Sequence, residues 1–164
     1  MKLAVLLVLA VAFRAAEFAI PTPVPWLRLG IANGVVLFTL VALGPRAALL
    51  VNLGRIILAS LLFGTLLSPG FWLSLSAGTS SCLVMIAAWL LLRKWVSCVG
   101  VSVIGSYAHI LTQFLVAYWL FVRHPAIVDV MPYFLFISLV TGIATGLLAQ
   151  LMLVWARRHG MVQV

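Results

Sequence analysis

Six apolar runs, most of them about 20 residues long, divide this chain at short clusters of proline, glycine or basic residues. They cover about residues 3–20, 29–43, 47–67, 71–92, 96–121 and 130–155. A helix needs about 20 apolar residues to cross the roughly 30 Å hydrocarbon core of a bilayer. A chain of 164 residues cannot wrap six such runs away from water, because only 7% of its residues are charged against about 25% in a soluble domain. The expectation is an all-α integral membrane protein, a single domain over 1–164 built as a bundle of six transmembrane helices. Little length remains for a soluble catalytic domain.

The first run follows Lys2 and reads in two ways. A basic start, an apolar stretch and the small residues Ala10-Val11-Ala12 suit a cleaved signal peptide, and the same stretch suits a first helix. It is taken here as the first helix. The segment Pro21-Thr22-Pro23-Val24-Pro25-Trp26 cannot be helical, since alternating prolines remove backbone donors and hold the chain extended. It reads as a stiff surface loop, with Trp26 suited to the membrane interface. In the alternate loops, Lys2, Arg46, Arg93, Lys94, Arg157 and Arg158 fall on one side of the bundle, and Arg28 and Arg123 on the other. Cytoplasmic loops collect Lys and Arg, so this asymmetry places both termini in the cytoplasm of a multi-pass protein of the cell's inner membrane.

The net charge of +8 is spread singly or in pairs between apolar runs. It is therefore topological and no nucleic-acid footprint. Cys82 and Cys98 form no CxxC and have no nearby His pattern, so they read as small apolar fillers, and no metal or cofactor is expected. There is no Walker A loop, no DDxxD-type acidic pair and no nucleophile motif. Glu17 and Asp129 are the only acids, too few ligands for magnesium-dependent diphosphate chemistry. The chain by itself is not expected to be an enzyme.

Charged groups inside the hydrocarbon layer cost several kcal/mol each on the order of insertion scales, so each needs a partner or a purpose. Arg14 and Glu17 stand three apart on the first helix, either as a structural pair or with one of them facing a ligand. Arg55 lies mid-span with Asn52 one turn earlier and no acid near it in sequence, a candidate for holding an anionic group or backbone carbonyls. On the fifth run Ser102, Gly105, Ser106, His109, Thr112 and Gln113 recur at spacings of three and four and so share one face, expected to point inward. Ser74, Gly78 and Ser81, and Thr141, Gly142, Thr145, Gly146 and Ala149, are small-residue faces that let helices approach closely. Ala12 and Ala16, and Ala15 and Ala19, have the same spacing on the first helix, facing either the bundle or a partner subunit.

Several segments together resemble a known family: Glu17 to Pro21 and the proline loop, Leu27 to Asn33, Arg55 followed by Ser60 to Pro69, Gly105-Ser106-Tyr107-Ala108-His109 with Gln113, and Val140-Thr141-Gly142. From about Glu17 to Ala149 the chain looks like the membrane family labelled both heptaprenyl diphosphate synthase component I and Gx transporter. Its members are similar to the substrate-binding S components of energy-coupling factor transporters. The run Phe63-Gly64-Thr65-Leu66-Leu67-Ser68-Pro69 after an intramembrane Arg is the most specific piece. The transporter label implies a capture subunit whose outward pocket is capped by the loop after the first helix. In that reading Arg55, Asn33, His109, Gln113, Glu17 and Arg28 hold a small polar or anionic metabolite. The alanines of the first helix meet a transmembrane coupling subunit, and partner ATPase subunits supply the energy. The enzyme label implies instead an accessory membrane subunit of a polyprenyl diphosphate synthase, or of a redox complex.

Overall fold

A chain this rich in unbroken apolar runs satisfies its backbone within helices, and helices are all the regular structure found among the described residues. The computed structural model describes residues 2–19, 30–121, 123 and 129–161. Among the described residues six helices follow one another: α1 Lys2–Ala19, α2 Asn33–Leu43, α3 Pro45–Leu62, α4 Pro69–Leu92, α5 Cys98–Leu120 and α6 Met131–Arg158. The last four are long and apolar enough to cross a membrane. α1 has 18 residues but carries Lys2, Arg14 and Glu17. α2 has only 11 residues, about 16 Å of helix.

The helix boundaries have local causes. Gly44, at φ 92°, breaks the chain after α2, and Pro45 opens α3 as its first residue, a position where the missing N–H costs nothing. The expected span 47–67 is corrected at its end, because α3 stops at Leu62. Gly64, at φ 63°, closes the helix: its N–H donates to Leu61 O at 3.2 Å, and the Thr65 N–H donates to Ser60 O at 2.9 Å. This pair of bonds is a Schellman stop, which needs a left-handed residue just past the helix. Leu67, also left-handed at φ 65°, completes a turn in which the Ser68 N–H donates to Thr65 O at 3.1 Å. Ser68 then caps α4 by accepting from the Phe71 N–H at 3.2 Å, with Pro69 as first residue. The run from Phe63 to Pro69 is thus a helix stop, a turn and a helix start, all in seven residues.

The short helix is the centre of the molecule. α2 packs against each of the other five helices, and every residue from Asn33 to Val41 is buried. Around it α1 adjoins α3, α3 adjoins α4, α4 adjoins α5 and α5 adjoins α6. Between α1 and α6 an apolar groove of about 400 Å³ reaches α2, lined by Leu6, Leu9, Phe38, Met152, Trp155 and Met161 among others. Elsewhere the outer surface is covered with exposed Leu, Ile, Val, Phe and Trp side chains, the surface a protein presents to lipid.

The α5–α6 contact depends on absent side chains. A Cβ at Gly146 would lie 2.7 Å from Val99 Cα, and one at Gly142 3.0 Å from Val103 Cα. These obstacles are backbone, which cannot swing aside. Beside them Ser102 Oγ and Thr145 Oγ1 share a hydrogen bond of 2.9 Å across the seam. Gly146→Ala is therefore expected to destabilise the bundle by about 1–3 kcal/mol through overpacking. Thermal unfolding in detergent checks this, and an unchanged midpoint contradicts the seam.

Candidate functional site

The polar residues gather where α1 and α3 end and α2 and α4 begin. Two helices bring Arg55 its partners. From α3 itself, Asn52 Oδ1 accepts from Arg55 Nη2 at 2.9 Å and from Nε at 3.3 Å. From the first residue of α2, Asn33 Oδ1 also accepts from Nη2. Asn33 Nδ2 donates to Ser81 Oγ of α4 at 3.3 Å, and Ser81 Oγ donates to Gly105 O of α5 at 2.8 Å. One chain of bonds therefore crosses α3, α2, α4 and α5. Arg55 is only 3% exposed and Asn52 fully buried.

Close packing around the guanidinium uses two glycines. A Cβ at Gly78 would sit 2.8 Å from Ile56 Cδ1, 3.4 Å from Asn52 Oδ1 and 3.7 Å from Arg55 Nη2. Gly30, left-handed at φ 77°, would place a Cβ 3.0 Å from Asn33 Nδ2 and 3.6 Å from His109 Cδ2. Any side chain there would push into the polar cluster and strain the backbone as well.

Arg14 and Glu17 form the second half of the cluster. Their ion pair, Arg14 Nη1 to Glu17 Oε2 at 3.1 Å, is the only one among the described residues. The other oxygen of Glu17 accepts from the Gly30 N–H, so the end of α1 is tied to the approach to α2. Arg14 Nη2 donates to Ser74 Oγ, and Ser74 Oγ donates to Gly70 O at 2.7 Å in the first turn of α4. Glu17, at 2% exposure, is within electrostatic reach of Arg14, Arg55 and His109. The carboxylate pairs with Arg14 and Arg55 has only neutral amide partners, so the buried cluster carries a surplus positive charge.

The inward stripe of α5 is buried at Ser102, Gly105, Ser106, His109 and Gln113. Gln113 Nε2 lies 2.9 Å from His109 Nε2. An amide nitrogen can only donate, so the imidazole accepts there. Thr112 turns aside to donate to Ser80 Oγ of α4 at 2.9 Å. Between α5 and α6, His109, Ser106, Ser138 and Thr141 border a cavity of about 10 Å³, the room of one water molecule. Ser138 Oγ is buried there with no hydrogen-bond partner among the described residues, as is Asn52 Nδ2 on α3.

The structure thus places Arg55 and Asn33 in direct contact, with His109 beside Gly30 and Gln113 one turn along, and it sets Glu17 against Arg14 on the same side of the bundle. Arg28 and the loop from Pro21 to Trp26 lie outside the described residues. Ala12 and Ala16 are exposed on α1 and Ala15 is half-buried. Ala19 is the last residue of α1, with its side chain outside the description. Sequence reasoning missed Ser74 and Ser81 as partners of the cluster, reading them as packing residues. Their hydroxyls reach Arg14 and Asn33 across helix seams that no spacing reports. Among the described residues no group of three His, Cys, Asp or Glu could hold a metal ion.

Glu17→Gln keeps an acceptor for Gly30 but leaves the Arg14 guanidinium without its carboxylate. It is expected to cost about 3–5 kcal/mol, the penalty for breaking a buried pair from one side. Denaturant unfolding in detergent measures it, and a loss below about 1 kcal/mol, typical of an exposed pair, contradicts a buried Arg14–Glu17 pair.

The family model described as heptaprenyl diphosphate synthase component I matches residues 6–152. No curated protein matches the chain, and no solved structure does.

Proposed function

The chain belongs to the heptaprenyl diphosphate synthase component I family, and from that membership together with the charge of its buried cluster we propose that it is a capture subunit of a multi-subunit importer. In this reading it resembles the S components of energy-coupling factor transporters and has no catalytic activity of its own. It takes a small polar or anionic metabolite from outside, and separate coupling and ATPase subunits drive release to the cytoplasm. One observation carries the reading. Arg14 pairs with Glu17 at 3.1 Å, while Arg55 is held by the neutral Asn33 and Asn52 alone, and an anion arriving there supplies the missing negative charge. A surplus charge in a low-dielectric site is costly unless something neutralises it.

The proposal includes six crossings of the cell's inner membrane with both termini in the cytoplasm. The six-to-two distribution of Lys and Arg between alternate loops supports this. It puts the Glu17–Gly30 end of the cluster on the outer side. Arg55, Asn33, His109, Gln113 and Glu17 then line the inner wall of the capture site. The exposed Ala12 and Ala16 offer a small-residue face of the kind by which membrane helices associate.

A second reading is an accessory membrane subunit of a polyprenyl diphosphate synthase. The family's description favours it, as does the apolar groove between α1 and α6, which is suited to a hydrocarbon chain. Affinity purification of the chain from its native membrane separates the two. ATPase and coupling subunits are the expected companions under the capture reading. A soluble prenyl synthase in their place would reject that reading in favour of the second.

A further inference from the structure

A cavity of about 80 Å³ is lined by Arg14, Ser60, Thr65, Ser68 and Gly70 together with Ala59, Phe63 and Phe71. It has several times the room one water molecule needs. Its wall is the Phe63–Pro69 turn, the stretch whose chemistry neither the fold nor the capture cluster has used. Three side-chain hydroxyls and one guanidinium converge on it. Arg14 is mostly buried, with 13% of its side chain exposed. Ser60 is 92% buried, at 8% relative exposure. Its hydroxyl has no hydrogen-bond partner among the described residues, although it lines a cavity beside a cation. Thr65 Oγ1 is likewise without a partner among them. Ser68 caps α4, a helix of 24 residues, whose N-terminus adds a partial positive charge at the same wall.

The guanidinium of Arg55 is held by Asn33 and Asn52 and packed against Gly78, outside the cavity lining, whereas Arg14, held by Glu17 and Ser74, is the guanidinium that borders the cavity. Arg14 lies within electrostatic reach of Arg55. We propose that the Arg14–Ser60–Thr65–Ser68 cavity binds one terminal oxyanion, a phosphate or a carboxylate, and that this is where the negative end of the ligand docks. The inference rests on the capture reading for the identity of its biological ligand and on the cavity alone for its chemistry. A phosphate suits it best, since three hydroxyl donors and an arginine match an acceptor group of several oxygens. That phosphate belongs either to a soluble metabolite or to the headgroup of a membrane lipid.

The test uses the full chain, delipidated in detergent, with sodium phosphate as probe and sodium chloride at equal ionic strength as control. Phosphate is expected to raise the unfolding midpoint saturably. Ser60→Ala and Thr65→Val, neither of which touches the Glu17–Arg55 network, are each expected to weaken phosphate binding by about tenfold, the effect of one lost hydrogen bond to a charged group. Their ligand-free midpoints should stay near that of the wild type. No saturable response to phosphate overturns the proposal, and so does a response that the double variant retains. Mass spectrometry of the chain extracted with its native lipids separates the sources. A phospholipid lost on Ser60→Ala assigns the headgroup, while a lipid-free cavity that takes free phosphate assigns the metabolite, and either result supports the oxyanion site. Coupling and ATPase partners without a phosphate response sink the cavity alone; a phosphate response in a chain without such partners sinks the capture reading alone.

Discussion

A guanidinium held inside a membrane bundle by neutral amides is the interaction on which the rest of this structure depends. Arg55 is charged under all ordinary conditions, and the hydrocarbon around the bundle offers it nothing. Its acceptors are the carboxamide oxygens of Asn33 and Asn52, which engage Nε and Nη2 without cancelling its charge. That choice has two consequences. It draws α2, α3, α4 and α5 into one network through Asn33 and Ser81, and it leaves the neutralising task to the distant Glu17, which Arg14 already occupies.

The architecture follows from making this network possible. A helix of 11 residues is too short to cross a bilayer unaided, but it can serve as a central post whose first residue, Asn33, stands at the depth of Arg55. Glu17 holds the Gly30 N–H, so the same carboxylate that pairs with Arg14 also sets where α2 begins. The glycines at 30 and 78 let backbone and side chains close around the guanidinium. Position and charge are therefore set by the same few contacts.

Much of the bundle was legible because lipid-crossing helices announce themselves by length, and proline and glycine mark their ends. The all-helical class and the order of the long helices among the described residues could be read from hydropathy alone. The end of α3 could not, since Leu66 and Leu67 continue the apolar run past the point where the left-handed Gly64 has already stopped the helix. Nor could the central position of α2. Its sequence is apolar on every side, and an apolar surface reads the same whether protein or lipid buries it. Within the site, Arg55 with Asn52 and Arg14 with Glu17 were legible as neighbours on a helix face. Their meetings with Asn33, Gly30 and Ser74 join residues from 13 to 60 positions apart, which no local pattern encodes. Ser60, Thr65 and Ser68 were hidden for another reason: each sits at a helix end, where a hydroxyl or a turn residue already has a capping role to explain it.

Capture from outside requires the cluster to face outward. Thiol labelling of intact cells tests this most directly, using Thr65→Cys in a background with Cys82 and Cys98 replaced by Ala. A membrane-impermeant maleimide is predicted to label this position from outside the cell, with labelling suppressed in sealed inside-out vesicles. Labelling only in inside-out vesicles would place the cluster on the cytoplasmic side and contradict capture from without.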